Sequence, residues 1–373
     1  MNRSFYIDNL RIALTVLVIF HHTAIAYGAS GGWCYITPDT IKGAGQIALS
    51  SILAIDQAFF MSLFFFISAC LMPDSYDKKG FGTYLKDRFV RLGIPLLVYS
   101  LLIHPCLLYG IQIHTNSNPG NLLVFVWMCI TKYPNTAHMW FVLALLIFES
   151  IYAFYRRFSK VSISKFISEQ MPTHRNIAIF ILAGGILAFI MRLVYPIGGK
   201  NIIGLQIGYF VLYSIFYVLG IIANRKKWLE KLSFNQSIVW FLVALAFIPF
   251  IVFAWISVTN GTSQVVQYIG GFYWNSFFLA IWEAILCLGF SYFLITAFRK
   301  YLNRTTKTIT NFSADSYTVY IIHPVIVVAA TMLFEPVNLA PFVKFVIACI
   351  VSISTCYLFA HYFRKIPGIK RIL

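Results

Sequence analysis

The sequence predicts an all-α protein that crosses a membrane about ten times. Three observations predict it. Of the 373 residues, 60% are hydrophobic and only 11% charged; the mean hydropathy is +0.78; and apolar runs of bilayer-spanning length recur from one end of the chain to the other. Soluble chains are about 45–50% apolar and about 25% charged, so a water-soluble fold is excluded. With about 20 apolar residues per crossing, ten spans use up the chain. No stretch of the about 100–200 residues that a soluble domain needs remains. Residues 1–373 are therefore expected to form a single transmembrane domain with no soluble accessory domain.

The first run, 10–28, follows Arg3, Asp8 and Arg11. It imitates a secretory signal, and Ala24-Ile25-Ala26 resembles a cleavage site. However, Asp8 stands in the would-be basic leader and His21-His22 interrupt the apolar stretch, so an uncleaved first span is expected. Further runs fall at 50–72, 92–113, 139–155, 176–195, 203–223, 236–257, 272–298, 315–334 and 342–363, with ends read to within about three residues. Leu122–Ile130 is apolar but too short to cross, and is expected to be re-entrant or interfacial.

When loops are assigned alternately to the two sides, 24 of the 29 Lys and Arg fall on one side. The other 5 are Lys42, Lys132, Arg192, Lys200 and Lys344. Basic excess marks the cytoplasmic face, so both termini are expected in the cytoplasm and the number of spans is expected to be even. The net charge of +17 is then mainly topology, and a nucleic-acid role has no support. Trp33, Trp127, Trp140 and Trp274 lie near the outer ends of runs, as an interfacial belt would. The seven cysteines have no metal-type spacing, read as small core hydrophobes, and give no metal site.

A titratable side chain within the hydrocarbon region costs a few kcal/mol or more unless it faces a cavity or a partner, which makes such residues the most informative in the chain. Arg11 and His22 are eleven positions apart. On a helix that is about 20° past three full turns, with about 16.5 Å of rise. They share one face, with Asp8 one turn below Arg11. The pattern puts a cation at the cytoplasmic mouth and an imidazole within the membrane on one stripe. His21, beside it, points about 100° away.

Asp56 and His22 both come out about 10–12 Å below the outer surface, so Asp56 is the first candidate to orient that imidazole. Glu149 and Glu283, near mid-membrane, could do the same or simply bind neighbouring helices. His104, before Pro105, is expected to line a kink. Arg88 and Arg91, three apart beside Lys86 and just before Pro95, could offer two guanidiniums to phosphates from one helical face. No P-loop, GxGxxG, HExxH or GxSxG pattern occurs, which argues against ATP hydrolysis, nicotinamide chemistry and the common hydrolases.

At these residues the sequence resembles the acyltransferase-3 family of integral membrane O-acyltransferases. The likeness begins with Asp8-x-x-Arg11, ten residues, and His22, then Phe64-Phe65-Phe66-Ile67-Ser68. It continues through Arg88-x-x-Arg91-Leu92 with Pro95, His138-Met139-Trp140-Phe141, and Tyr317-x-x-Tyr320-Ile321-Ile322-His323-Pro324. These pieces run in family order over nearly the whole chain. Tyr6-Ile7-Asp8-Asn9-Leu10-Arg11, His21-His22, Tyr27-Gly28 and Gly32-Trp33 look most like the branch containing the glucan-modifying protein C, a periplasmic glucan succinyltransferase. Where the family usually has Gly after the FFxxS run, this chain has Ala69.

The resemblance implies a multi-pass protein of the bacterial inner membrane. Its donor would be cytoplasmic acyl-CoA (acetyl-CoA or succinyl-CoA), used as a substrate with no permanently bound cofactor. The CoA phosphates would meet Arg11, Arg88 and Arg91. The acceptor, a hydroxyl of a periplasmic or envelope glycan, would approach near Trp33, His138 and Trp140. His22 would be the general base, with Asp56 or Glu149 as its acid partner. A covalent acyl-histidine formed in a first step is equally compatible. Asp8, His21, Ser68 and His323 would support the site. The competing class is a proton-coupled transporter of a small polar solute or glycan, since buried acids and histidines serve carriers too. The basic mouth and the absence of paired, Gly/Pro-broken helices in two matching halves argue against it. A non-enzymatic membrane scaffold leaves the shared stripe of Arg11 and His22 unexplained.

Overall fold

A computed structural model describes residues 5–159, 169–199 and 202–373. Arg3, Lys160, Lys165 and Lys200, four of the cations counted above, lie outside them. Among the described residues the helices are joined by loops, and the one β-type contact is an isolated bridge between Ile202 and Leu205. In chain order come α1 (Phe5–Ala26), α2 (Ala44–Arg88), α3 (Ile94–Val98) and α4 (His104–His114). Two π-turns, Phe89–Gly93 and Tyr99–Ile103, flank α3. Then follow α5 (Leu122–Lys132), α6 (Trp140–Phe158), α7 (His174–Val194) and α8 (Phe210–Arg225). The remainder is α9 (Trp228–Lys231), α10 (Phe234–Ala246), α11 (Ile248–Thr259), α12 (Val266–Ile269), α13 (Trp274–Tyr301), α14 (Lys307–Phe334), α15 (Pro341–Phe363) and α16 (Ile369–Ile372).

Nine helical stretches among the described residues are long and apolar enough to cross a bilayer. The longest, Ala44–His114, doubles back within α2. Gly80 adopts φ 74° and ψ 172°, a conformation that a residue without Cβ takes at little cost. Beyond it the Tyr84 ring packs 5.5 Å from Tyr76, and Asp87 accepts a 2.6 Å hydrogen bond from Lys79. Each limb of this hairpin is about 50 Å long, enough for one crossing. Counted limb by limb, the nine stretches are long enough for ten passes, the number the apolar runs predict.

Two expected elements differ in detail. The run 236–257 divides into α10 and α11 at Phe247. Pro249 sits in the first turn of α11, where its missing N–H costs least, and the Trp282 indole donates to the Phe247 carbonyl at 2.8 Å. The short run at Leu122 becomes α5, capped by the Asn121 side chain, which accepts from the backbone N–H groups of Leu123 and Val124. At about 16 Å it is too short to cross. It lies against α4 through Tyr109 and Phe125.

Close packing sets the register of α2 against α8. Gly220 of α8 lies so near α2 that a Cβ there would overlap the Phe66 carbonyl oxygen and stand 2.8 Å from the Ala69 Cβ. Along the same seam Asn224 donates to the Cys70 carbonyl at 2.9 Å and Tyr217 to the Met72 sulfur at 2.8 Å. The glycine that lets these backbones approach is thus on α8, and Ala69 is the small residue facing it.

Candidate active site

α1 and α14 run side by side in the same direction. At one end the Asn9 side chain donates to the carbonyls of Leu302 and Arg304, just before α14, at 2.6 and 2.9 Å. Further along, the His22 and His323 rings meet. His22 Nδ1 and His323 Nε2 are 2.9 Å apart, and the rings stack at 4.9 Å between centroids. Residues 27–43 form a strap that brings the Trp33 ring onto His22 at 4.3 Å and 19° between planes. The strap is pinned by a hydrogen bond from the Tyr35 hydroxyl to Glu335, by His114 Nε2 on the same carboxylate at 3.0 Å, and by Lys344 on Asp39 at 3.0 Å.

His138 reaches the cluster from the short turn before α6. Its ring stands edge-on to His323 at 4.9 Å and to Tyr99 at 4.4 Å, while its backbone carbonyl accepts from the Tyr320 hydroxyl. Three histidines separated by more than a hundred residues each are therefore gathered into one group, in which His138 and His323 are buried and His22 is half-buried. Among the described residues, no group of three His, Cys, Asp or Glu side chains could hold a metal ion.

The acidic residues are distributed differently from the expectation. Asp56 approaches His21, not His22, with Oδ2 3.8 Å from His21 Nδ1. Successive helical residues point about 100° apart. α2 packs on the His21 side of α1, and α14 holds the His22 side. His21 also stacks on Phe60 at 5.1 Å.

Glu149 is likewise remote from His22. It lies nine residues into α6 beyond Trp140, about 13.5 Å of helix away, where Arg88 Nε meets its carboxylate at 3.2 Å. Arg88 also lies 5.0 Å over the Tyr84 ring and donates to Ser75 Oγ at 3.4 Å.

The expected common face of Arg88 and Arg91 does not form. Arg91 falls in the π-turn Phe89–Gly93, whose wider winding breaks the α-helical register. Its side chain is exposed and its carbonyl accepts from the Tyr317 hydroxyl at 2.9 Å. Arg11 pairs with Asp8 one turn earlier at 3.6 Å. Ser68 is half-buried on α2. His104 starts α4 after the second π-turn, its ring stacked 6.1 Å from Tyr99, so it does sit at a helix irregularity.

A cavity of about 420 Å³ opens beside the histidines. His21, His22, Gln57, Trp140, Tyr213 and Glu283 supply much of its chemistry. Trp140 stacks on Tyr213 at 5.6 Å, and Gln57 donates to the Tyr213 hydroxyl at 3.0 Å. Two of the expected belt tryptophans are thus turned inward, Trp33 onto His22 and Trp140 into this wall. Trp127 and Trp274 remain exposed.

Behind Glu283 lies Arg192, fully buried, hydrogen-bonded to that carboxylate and donating from Nε to the Gly208 carbonyl at 3.2 Å. Arg192 is therefore an interior partner and not a loop cation. Sequence reasoning missed it, along with Gln57 and Tyr213. The available signal was that Arg192 and Glu283 stand in separate apolar runs, where each charge needs an opposite one.

A bundle of helices long and apolar enough to cross a membrane, packed around a cavity beside three histidines, defines the class: a polytopic membrane protein. The family described as an acyltransferase domain matches residues 4–361. The chain belongs to that acyltransferase-3 family and is a multi-pass membrane acyltransferase. No curated protein and no solved structure matches it.

Proposed function

We propose that this protein moves an acyl group, acetyl or succinyl, from cytoplasmic acyl-CoA to a hydroxyl of a periplasmic or envelope glycan in the bacterial inner membrane. The observation that carries the reading is His22 itself. One ring nitrogen is engaged by His323, while the residue lines the 420 Å³ cavity. An imidazole so held has its other nitrogen available to a hydroxyl in that cavity. Aromatic faces (Trp140, Tyr213) beside an amide and a carboxylate (Gln57, Glu283) suit the alternating apolar faces and hydroxyl edges of a sugar ring.

In this reading the acceptor O–H gives its proton to His22 as its oxygen attacks the thioester carbonyl. The tetrahedral adduct then expels CoA by breaking the C–S bond. The thiolate takes a proton back, and the new ester leaves on the glycan. Arg88, held by Glu149, together with Arg91 and Arg11, would bind the CoA phosphates at the cytoplasmic end. Asp8, Ser68 and the pair His21–Asp56 would support the helices that frame this path.

The test feeds membranes containing the protein either labelled acetyl-CoA or labelled succinyl-CoA and follows label into envelope glycan. Expected is transfer from one of the two thioesters, abolished in His22→Ala. Label that never leaves CoA, together with solute flux in vesicles without any CoA, would replace this reading with the transporter.

A further inference from the structure

We propose that His323 is a positioning residue that fixes His22 in the Nδ1–H tautomer, leaving Nε2 as the bare lone pair that takes the acceptor proton. The inference rests on the reading of His22 as general base. It goes beyond that reading by assigning the tautomer and the residues that set it.

The argument starts at Pro324. In α14 the Tyr320 carbonyl would normally accept the N–H of residue 324, but proline has none, and its ring crowds that carbonyl. The orphaned acceptor is taken by a side chain: His323 Nδ1 lies 2.7 Å from the Tyr320 oxygen. A carbonyl can only accept, so His323 Nδ1 carries the hydrogen. The neutral ring then has only an Nε2 lone pair to offer. His22 Nδ1 is 2.9 Å from that lone pair, so His22 Nδ1 must donate. His22 Nε2 is left unprotonated.

A charged His323 would reverse the second step. Its ring is fully buried among Tyr320, His138, His22 and Trp33, with no carboxylate in that group to compensate a charge. When His22 accepts a proton at Nε2, the Nδ1–H bond to His323 persists and spreads the new charge. The arrangement serves both protonation states without a carboxylate beside His22, and Asp56 lies at His21 instead.

Two measurements test this. Protein labelled with ¹⁵N-histidine in lipid vesicles at about pH 8, above the usual imidazole range, reports the tautomer directly. The His22 signals are those lost in His22→Asn. Protonated Nδ1 and unprotonated Nε2 are expected, and an Nε2–H tautomer overturns the proposal whatever the activity.

The kinetic arm compares His323→Leu with His323→Gln. Leucine cannot accept from His22 and should lower kcat about 100-fold, with the KM for acyl-CoA within about twofold because donor binding is remote. Glutamine offers an acceptor oxygen at about the place of Nε2 and should recover at least about tenfold of that loss. His323→Leu turnover within about threefold of the parent overturns the lock, as does a glutamine variant no faster than leucine with acyl-CoA binding intact. If the parent protein transfers nothing from any thioester, the general-base reading fails instead, and the tautomer spectrum still decides the lock.

Discussion

His21 and His22 are adjacent in sequence yet face different partners, and this separates their expected roles. His22→Ala should lower kcat about 10²–10⁴-fold, the usual contribution of a general base, with acyl-CoA KM and protein level near normal. His21→Ala removes the contact with Asp56 and the stack on Phe60 and should lower turnover far less. Steady-state kinetics on purified variants decide between them, and an inactive His21→Ala with an active His22→Ala would reverse the assignment. Glu149→Gln addresses the donor end. It leaves Arg88 without its ionic partner, so the guanidinium is no longer aimed. We expect a higher KM for acyl-CoA with kcat unchanged, as for a loss of uniform binding, and the same pattern in Arg88→Ala. An effect on kcat alone would place Glu149 back among the reacting groups. The sequence showed that each of these charges needed a partner, but depth along a helix did not reveal which one, because rotation by a single residue changes the neighbouring helix.

At the scale of elements, the seam between α2 and α8 is the most demanding contact. Gly220→Val would drive a branched side chain into the Phe66 carbonyl and Ala69, and this overlap can be relieved only by separating the helices. Val is expected to lower the thermal midpoint in detergent and the yield of folded protein, whereas Ala69→Gly on the opposite helix should be tolerated. If both variants melt like the parent, the close approach is not what sets the register. The helices were legible in the sequence because each is a run of apolar residues of spanning length. The break at Phe247 was less so, since Pro249 in an otherwise apolar run is compatible with a kink or a stop. The hairpin at Gly80 was legible only as a polar loop, while its folding into two limbs of one helical stretch depends on the contacts of Tyr76 with Tyr84.

For the whole molecule, the asymmetry of basic residues predicts that both termini are cytoplasmic, the side from which the proposed donor would enter. A reporter fused after Leu373 and active only in the cytoplasm is the expected result. Activity only in the periplasm would overturn both the orientation and the entry face for CoA. The sequence alone determined the all-α membrane class, pointed to about ten passes, and singled out His22, Arg11, His138 and His323 as site candidates. These follow from local quantities: hydropathy over a window, charge per loop, and the fixed rotation and rise of a helix. Only the tertiary structure decided that His22 faces His323, that Asp56 serves His21, that Glu149 holds Arg88, and that Arg192 closes the cavity behind Glu283. Those are choices among neighbours on different helices. They depend on the azimuth and separation of packed elements, which side-chain volumes along the seams set and which no single stretch of sequence encodes.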